Sequence, residues 1–375
     1  MTTRVEKILV CIEPSTQVGI EIGALANPIV TREMGTVRYV DHETTEGLRT
    51  KYAHDQGVDI NKIVDVDYVW GSQSLAELVG DEALFDYVVA SHVIEHVPDF
   101  IGWLKEIRAI LKPDGILSLV IPDKQYCFDY YRQLTKPADV VEAYLRGARK
   151  PSPRQIYDFL SSAVSWKGAI AWKGEISENE LVQIHSEAEA WETAKRVFVD
   201  DTYHDVHCWV FTPYSLFELF RTLIKLELFD FKIAKFYKTD GCEFYVSLQA
   251  LSFSSLKNWQ HIQLESLPVL KPDQLGHSNL RFELGREREE KLLTQAKLQK
   301  TQAELERLQS QIKQFNAQLE QKRSLTRKLR SQVQNIKIRL KDSQAEIDAM
   351  KASKFWKLRT QWFKLKKLLS SGSTS

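Results

Sequence analysis

The sequence predicts an α/β domain with a mostly parallel sheet and a C-terminal antiparallel hairpin, followed by a long α-helical coiled coil. Three observations lead to this prediction. Apolar runs of strand length alternate with helix-length segments over residues 19–121, as in a parallel sheet covered by helices. An Asp-Gly turn at residues 240–241 separates two further apolar runs, which is a hairpin signal. Apolar residues recur at seven-residue spacing over residues 298–350.

The strands of the sheet are predicted from short runs rich in β-branched and aromatic residues. They lie at residues 19–22, 37–40, 63–66, 85–90 and 116–121. The second of these runs is followed at once by Asp41. A helix with regular apolar spacing is predicted over residues 100–111, with Asp99 as its N-cap. A later helix, near residues 213–226, precedes the hairpin.

Composition divides the chain into four predicted parts. We expect an α/β domain at residues 1–250, a linker at 251–284, a coiled coil at 285–352 and a tail at 353–375. Within the domain, residues 130–200 are rich in Trp, Tyr and charge, and we interpret them as a helical insertion over one edge of the sheet. The formal net charge of +1 gives the whole chain no attraction for nucleic acid, so we expect no nucleic-acid partner.

The heptad pattern predicts self-association of the chain as a homo-oligomer. One series of positions is almost wholly aliphatic: Leu298, Leu305, Ile312, Leu319, Thr326, Val333, Leu340 and Ile347. Polar residues such as Lys322 and Ser343 interrupt the companion series and can set the register. The alternative is a single amphipathic helix that packs on the domain. The charge pattern does not select the number of chains.

The tail combines basic and aromatic residues. Residues 351–369 read KASKFWKLRTQWFKLKKLL. Such a composition suits a helix that lies in the interface of an anionic membrane. It equally suits a helix whose aromatic side chains pack on a protein partner.

Cysteine usage and hydropathy indicate the compartment. The four cysteines, Cys11, Cys127, Cys208 and Cys242, form no CxxC pair and indicate reduced thiols. Residues 1–7 carry no signal-peptide pattern, and no apolar run reaches the ~18–20 residues that span a bilayer. We therefore expect a cytoplasmic protein, either free or peripheral at the inner face of the membrane.

Three residues near the first two strands indicate a nucleoside ligand. An acidic residue at the end of the second strand, Asp41, can accept hydrogen bonds from both ribose hydroxyls. Gly23, after the first strand, allows the backbone to approach a ligand, and Glu21 can accept from a ligand ammonium group. The GxGxxG spacing of pyrophosphate-binding loops is missing. The ligand predicted here therefore lacks a pyrophosphate.

Two stretches of the domain are similar to a known family. FDYVVASHVIEHVPD at residues 85–99 and LKPDG at residues 111–115 closely resemble the central stretch of class I, Rossmann-like methyltransferases. IPDKQYCFD at residues 121–129 and DVHCWVFTP at residues 205–213 resemble a bacterial subgroup associated with surface-polysaccharide glycosyltransferases. The resemblance extends over roughly residues 5–250. It implies a seven-stranded sheet and S-adenosylmethionine as the cofactor.

The resemblance also implies which residues bind the cofactor. Glu21 and Gly23 match the side that holds the methionine moiety, and Asp41 matches the ribose position. Ser91 and His92 match the loop that flanks the sulfonium. The acidic residue usual on the adenine side has no match here. Trp70 and Gly71 occupy that stretch, and Trp70 can stack on adenine instead.

The sequence offers two candidates for the catalytic base that an acceptor hydroxyl needs. The first is His207, which Asp205 can orient because residues two apart share one face of an extended segment. The second base candidate is Asp123, just after the fifth strand. The alternatives are a structural role for His207 in hydrogen bonding, a turn-forming role for Asp123, and metal ligation by His204, Asp205 and His207. Since no distant fourth ligand is identifiable, we predict no metal site. His92 and His96 are expected to position their loop or to cap the helix that follows it.

The predicted function is methylation of a hydroxyl in a bacterial surface glycan or glycolipid. It follows from the resemblance, and Trp166, Trp172 and Trp191 in the insertion can stack on sugar rings, although packing in the core explains these residues equally well. The rival hypothesis is a scaffold: a methyltransferase fold without activity, which oligomerises and attaches to a polysaccharide assembly at the membrane. A glycosyltransferase partner that binds the tail is compatible with both.

Overall fold

The computed structural model describes residues 2–55, 57–80, 85–174, 176–251, 258–272 and 280–370. The chain divides into two compact units, Met1–Gln274 and Leu275–Ser375. The first unit contains the sheet and nine of the described helices, and the second contains two helices. Each unit is described here by itself.

The described part of the chain contains nine strands. They are β1 (Val18–Ile22), β2 (Thr36–Asp41), β3 (Tyr68–Val69), β4 (Phe85–Ser91), β5 (Leu111–Pro122), β6 (Val164–Trp166), β7 (Leu181–Gln183), β8 (Phe231–Asp240) and β9 (Glu243–Ala250). Seven of them form one sheet in the order β3-β2-β1-β4-β5-β9-β8. The neighbours from β3 to β5 pair in parallel, whereas β9 is antiparallel to both β5 and β8. The predicted fold class is confirmed.

Helices cover the sheet and continue into the second unit. They are α1 (Arg4–Ile8), α2 (Thr45–Lys51), α3 (Leu75–Val79), α4 (Phe100–Ile110), α5 (Pro137–Arg146), α6 (Pro153–Ser162), α7 (Glu187–Asp200), α8 (Pro213–Lys225), α9 (Trp259–Ser266), α10 (Leu280–Ala352) and α11 (Lys354–Ser370). Helix α9 packs on β8, and its Gln263 donates a hydrogen bond to the carbonyl oxygen of Phe231, 2.8 Å away. The compact unit thus continues past residue 250.

Burial explains why the central strands and α4 form where the sequence predicts them. Val88 and Leu117, in adjacent strands, are completely buried, because helices cover both faces of a parallel sheet. In α4 the apolar residues Ile101, Leu104 and Ile107 face this core. The Asp99 side chain accepts a hydrogen bond from the Gly102 backbone N–H at 2.8 Å, so the predicted N-cap is confirmed.

One predicted strand, at residues 63–66, is wrong. The third strand is instead the two-residue β3 that follows it. The backbone N–H of Val64 donates to the carbonyl oxygen of Leu25, and that of Val66 donates to the side chain of Thr45. Ile63 is buried in a small cluster beside the sheet. The apolar run is thus explained by loop packing, which a local pattern cannot distinguish from a short strand.

The insertion predicted at residues 130–200 contains α5, α6 and α7, as well as an antiparallel pair that the sequence reasoning missed. Helices α6 and α7 pack through Ile156, Leu160 and Ala194. Strands β6 and β7 pair over three residues each. Strands this short show too little alternation to be recognised from sequence.

The second unit consists of α10 and α11. Helix α10 begins at Leu280 and continues unbroken to Ala352, which confirms a long helix over the heptad region. Ser353 separates the two helices, and its hydroxyl accepts from the backbone N–H of Trp356. Among the residues described, no helix is both long enough and apolar enough to cross a membrane.

The order of the strands fixes where a ligand can bind. Strand β1 lies between β2 and β4, so the chain runs from β1 to β2 and β3 on one side and then returns to β4 on the other side of β1. In open α/β sheets a crevice forms outside the carboxyl ends of the strands at such a point. The loops after β1, β2 and β4 therefore meet there.

Candidate cofactor and acceptor site

A cavity of about 550 Å³ lies at the carboxyl ends of β1, β2 and β4. Its size is that of a small-molecule site. Six of the seven residues predicted to bind the cofactor line it: Gly23, Asp41, Trp70, Gly71, Ser91 and His92. His96 and Asp205 line the same cavity. The structure therefore brings most of the predicted cofactor residues together with two further groups that carry protons or charge.

Asp41 ends β2 with its side chain at the cavity. One carboxylate oxygen, Oδ1, accepts from the backbone N–H of His42 at 2.7 Å and lies 2.6 Å from Nδ1 of its ring. These contacts hold the carboxylate in place. Among the residues that the structure describes, none donates a hydrogen bond to the second oxygen, Oδ2, which can accept from a ligand hydroxyl.

Gly23 forms the wall of the cavity after β1. Its φ of +70° is a conformation that favours glycine, and an added Cβ would lie 3.1 Å from Cγ2 of Val93. Its backbone N–H donates to the carbonyl oxygen of Val40. Glycine at this position thus keeps the loop close to β2 without filling the cavity.

Glu21 does not line the cavity, although it was predicted to bind the cofactor. The side chain is 2% exposed, and its carboxylate accepts hydrogen bonds from the backbone N–H groups of Ile29 and Val30 at 2.8–3.0 Å. Burial raises the pKa of Glu21 to about 7, against the lowering effect of those two N–H groups. The carboxylate holds the end of the loop after β1.

Trp70 and Gly71 follow the short strand β3. The backbone N–H of Trp70 donates to the carbonyl oxygen of Asp41 at 2.7 Å, and its indole N–H donates to the carbonyl oxygen of Gln73. These two bonds fix the half-buried indole beside the ribose-binding candidate. Stacking of Trp70 on adenine, as predicted from the sequence, is compatible with this position.

The loop after β4 contributes Ser91 and His92. His92 has a φ of +54°, in a region that non-glycine residues adopt rarely, and its ring Nε2 lies 2.8 Å from Oε2 of Glu243. Burial lowers the pKa of His92, but its interactions with the carboxylates of Glu243 and Glu95 together outweigh that effect and raise the pKa to about 9. Glu243 also accepts from Arg4, and Arg4 donates to the Ser91 hydroxyl. Ion pairs therefore hold this side of the cavity.

A histidine–carboxylate pair also lines the cavity. Nδ1 of His96 lies 2.9 Å from Oδ1 of Asp205, and the hydroxyl of Tyr203 donates to the same oxygen at 3.3 Å. Burial opposes ionisation of both groups, but their mutual hydrogen bond raises the pKa of His96 and lowers that of Asp205 to about 2. The prediction that Asp205 orients His207 is wrong, because Asp205 orients His96.

His207, the first predicted base, is buried and does not line the cavity. Its Nδ1 lies 2.6 Å from Oδ2 of Asp129, whose other oxygen accepts from Arg132 at 2.7 Å. Burial would raise the pKa of Asp129, yet His207 and Arg132 lower it to about 2. The structure thus gives His207 the hydrogen-bonded role that the sequence analysis had named as the alternative.

Asp123, the second predicted base, also lies away from the cavity lining. It is buried, accepts from the backbone N–H of Gln125, and accepts from the Thr239 hydroxyl at 2.6 Å. These bonds begin a short 3₁₀ turn after β5 and connect it to β8. This geometry supports the turn-forming alternative.

The tryptophans predicted to stack on sugar do not line the cavity. Trp172 is buried and donates to the carbonyl oxygen of Gln125, and Trp166 donates to Glu180. Trp191 is 58% exposed on α7. Ordinary packing and surface exposure account for all three.

Sequence comparison assigns the domain to a family. Residues 13–222, more than half of the chain, match the family model described as a methyltransferase domain, so the chain belongs to that family. Among curated proteins, none matches the chain.

Two solved structures illustrate what the chain is similar to. The CcbJ methyltransferase from Streptomyces caelestis is similar at 12% identity and a TM-score of 0.34, with 66% of this chain and 89% of that chain covered. An S-adenosylmethionine-dependent methyltransferase from Mesorhizobium loti is similar at 12% identity and a TM-score of 0.31, with coverage of 63% and 92%. Likenesses this distant carry no argument about the reaction.

The family's cofactor is S-adenosylmethionine, and the residues on the cavity fit it. Asp41 offers a fixed carboxylate oxygen for ribose hydroxyls, and Trp70 offers an aromatic face for adenine. Gly23 has no side chain, so it leaves room for a ligand; a Cβ at this position would lie against the side chain of Val93. The missing pyrophosphate loop is consistent with a cofactor that has no phosphates.

Sequence reasoning missed the pairing of His96 with Asp205. A signal was available, because His96 is in the loop after β4, which points to the crevice in such sheets. Its partner Asp205 is 109 residues away, so only the fold reveals the pair.

Proposed function

We propose that this protein methylates a hydroxyl group of an acceptor bound in the cavity, with His96 as the catalytic base. A single observation carries the proposal: the His96–Asp205 pair lines the same cavity as Gly23 and Asp41. Cofactor-binding groups and a base are therefore close enough to act on one acceptor.

The residues of the pair have distinct tasks. When bound, S-adenosylmethionine supplies an activated methyl group on its sulfonium. Nδ1–H of His96 donates to Asp205, which fixes the tautomer and leaves the lone pair on Nε2. Nε2 accepts the proton of the acceptor hydroxyl as the methyl group passes to the hydroxyl oxygen, and the sulfonium would leave as a neutral thioether. Asp205 acts as a positioning residue and stabilises the imidazolium that results.

A sugar hydroxyl of a surface glycan is the acceptor class that we propose. Two stretches support it through their resemblance to the polysaccharide-associated subgroup, residues 121–129 and 205–213. The second contains Asp205 itself. A sugar hydroxyl has a high pKa, so its methylation needs a base more than methylation of an amine does.

The scaffold hypothesis requires that the cofactor site be lost. Retention of Asp41 at the cavity and of Gly23 in its permissive conformation supports an enzyme instead. The deciding experiment is calorimetric titration of the full chain with S-adenosylmethionine, followed by incubation with methyl-tritiated S-adenosylmethionine and a panel of methyl glycosides. Cofactor binding with label transfer would support the proposal. A folded chain that binds no cofactor would favour the scaffold.

We propose further that α10 assembles the enzyme into a homo-oligomer. In the single chain its heptad residues are exposed, for example Leu305 at 56%, Leu319 at 49% and Val333 at 51%. Burial of such side chains contributes about 25 cal/mol per Å². A helix of 73 residues with an exposed seven-residue apolar repeat fits a second copy of itself as its partner.

A further inference from the structure

Beside the cavity, three side chains offer metal-ligating atoms close together. Among the residues described, Glu95, His96 and His207 each place one such atom within 4.8 Å of the others. The ring centroids of His96 and His207 are 4.6 Å apart, and Nε2 of His207 lies 4.0 Å from Oε1 of Glu95. Of the three residues that the sequence analysis considered as ligands, only His207 belongs to this set.

Both histidines are oriented as metal-bound histidines are. Nδ1 of His207 lies 2.6 Å from Asp129, and Nδ1 of His96 lies 2.9 Å from Asp205. In each ring the carboxylate accepts a hydrogen bond from Nδ1–H, which leaves the lone pair of Nε2 to bind a metal ion. Histidine ligands in proteins commonly give their second ring N–H to a carboxylate, which fixes the ring and strengthens the metal bond.

Glu95 supplies a second, independent observation. Its side chain is completely buried, and within the described part of the chain neither carboxylate oxygen accepts a hydrogen bond. The nearest ring nitrogen of His92 is 3.5 Å from Oε1, and the other nitrogen of that ring is committed to Glu243. A buried carboxylate that accepts no hydrogen bond, and whose nearest cationic group lies 3.5 Å away, is costly, and a directly bound metal cation lowers that cost.

We propose that Glu95, His96 and His207 form a binding site for a divalent transition-metal ion. Two imidazole nitrogens and one carboxylate are a ligand set that suits Zn²⁺ and its neighbours rather than Mg²⁺ or Ca²⁺. Ligand atoms around tetrahedral zinc are roughly 3.3 Å apart, given bond lengths of about 2.0–2.1 Å. The side chains thus close inward by about an ångström when the ion binds.

The backbone holds the ligands close to one another. The carbonyl oxygen of Glu95 accepts from the backbone N–H groups of Cys208 and Trp209 at 2.7 and 3.1 Å. This contact docks the segment that carries His207 onto the loop that carries Glu95 and His96. The site therefore does not depend on a mobile surface side chain for its assembly.

The metal site rests on ligand geometry and stands without the proposed function. It bears on that function at one atom, Nε2 of His96, which cannot bind a metal ion and accept a proton at the same time. With the ion bound, a coordinated acceptor hydroxyl would have a lowered pKa and would lose its proton to solvent water, whereas without the ion Nε2 of His96 accepts that proton. Three protein ligands leave at least one position open for such a hydroxyl.

The test uses cobalt as a spectroscopic probe on the full chain after treatment with a chelator. We expect one Co²⁺ per chain, visible absorption bands of a four- or five-coordinate ion, displacement of those bands by Zn²⁺, and a higher midpoint of thermal unfolding with Zn²⁺. Glu95→Gln and His207→Asn should each weaken binding by more than about 100-fold, and Asp129→Asn by about 10–100-fold. Asp205→Asn, at a half-exposed position, tests the second carboxylate in a variant that should fold.

The matched control is His204→Asn, which changes a neighbouring histidine outside the cluster and should leave the bands unchanged. Absence of bands in the wild-type chain, or their persistence in Glu95→Gln and Asp205→Asn, would overturn the metal site. Failure of the two proposals is distinguishable. Methyl transfer that persists in chelator, in a chain that binds no Co²⁺, would support His96 as the base and overturn the metal site. Co²⁺ binding by a chain without methyl transfer would support the metal site and overturn the proposed function.

Discussion

Nδ1 of His96 lies 2.9 Å from Oδ1 of Asp205, although the two residues are 109 positions apart in the chain. This pair joins the loop after β4 to the segment before α8 and lines the cavity that contains the cofactor residues. Its position distinguishes it from the pair of His207 with Asp129, which is buried away from the cavity lining.

The first prediction concerns the rate of methyl transfer. His96→Asn removes the proposed base and should lower kcat by about 10²–10⁴-fold. Asp205→Asn should lower kcat by more than about 10-fold with little change in KM, because an amide no longer fixes the tautomer of His96. Both rates are measured with methyl-tritiated cofactor. The affinity for S-adenosylmethionine, measured by calorimetry, should stay near that of the wild type.

His204→Asn is the matched control for these variants, since His204 is close in sequence but does not line the cavity. It should retain the wild-type rate. A wild-type rate in His96→Asn would show that the base has been assigned to the wrong residue.

The second prediction concerns cofactor affinity. Asp41→Ala removes the carboxylate that we expect to accept from the ribose hydroxyls. Hydrogen bonds to a charged group contribute about 1.5–3 kcal/mol, so the Kd for S-adenosylmethionine should rise by about 10–100-fold. Calorimetric titration of the full chain measures it. Asp65→Ala, at an exposed position outside the cavity, is the control, and equal affinities in the two variants would contradict the assignment.

Much of the fold was predictable because its signals are local. The apolar runs of β4 and β5 and the spacing of α4 reflect burial of neighbouring residues. Asp99 was recognisable as an N-cap since the capped N–H is only three residues away. The run at residues 63–66 failed because its hydrogen-bond partners, such as Leu25, come from a distant loop.

The site was less predictable for the same reason. Gly23 and Asp41 follow strands whose order can be inferred, so their convergence could be predicted. The carboxylate partners of His96 and His207 could not be predicted in this way. Asp205 and His207 are two residues apart, but their hydrogen-bond partners differ. Asp205 pairs with His96, and His207 pairs with Asp129, 78 residues away in the chain. The alternation of side chains along an extended segment predicts which face a side chain lies on, but it does not predict which residue of another segment that side chain contacts.

The third prediction concerns stability and pH, through Glu21. Its pKa is about 7 in the folded protein, raised by burial from the ordinary 4.5, with Arg4 and two backbone N–H groups acting in the opposite direction. The folded chain therefore keeps a proton that the unfolded chain releases between pH 4.5 and 7. The stabilisation is complete below pH 4.5 and is lost as the pH rises through 7.

Glu21→Gln removes this titration. The free energy of unfolding of the wild type, minus that of the variant, should fall by about 3 kcal/mol between pH 4.5 and 7.5 and then level off. Urea denaturation at a series of pH values measures both. Tyr39 and Tyr87 are the ionisable groups that also face Glu21, and both keep their protons over this range. A difference that stays constant with pH would contradict the raised pKa.

The fourth prediction concerns self-association. Leu305→Asp together with Leu319→Asp places charge on the heptad stripe of α10 and should convert the proposed homo-oligomer into single chains. Sedimentation equilibrium of the full chain gives the mass. Gln314→Asp together with Gln321→Asp introduces the same residues off the stripe and should keep the oligomer. A wild-type chain that sediments as a monomer would refute the proposed association.

The fifth prediction concerns the tail. Helix α11 exposes aromatic and aliphatic side chains among its lysines, including Phe355 at 76% and Trp362 at 58%. Basic residues near an anionic surface contribute about 1 kcal/mol each, and the aromatic rings insert at the interface. We therefore expect the full chain to cosediment with vesicles that contain phosphatidylglycerol, and to do so less at high salt.

Two variants separate charge from insertion in that experiment. Deletion of residues 351–375 should abolish cosedimentation. Trp362→Ala together with Phe363→Ala keeps every lysine, so binding should weaken while its salt dependence persists, because the electrostatic attraction remains when the inserted rings are gone. Vesicles of neutral lipid are the control. If the deletion leaves cosedimentation unchanged, the membrane contact lies elsewhere in the chain. If the full chain binds neither kind of vesicle, the membrane prediction is wrong and the alternative stands, in which the aromatic residues of α11 pack on a protein partner.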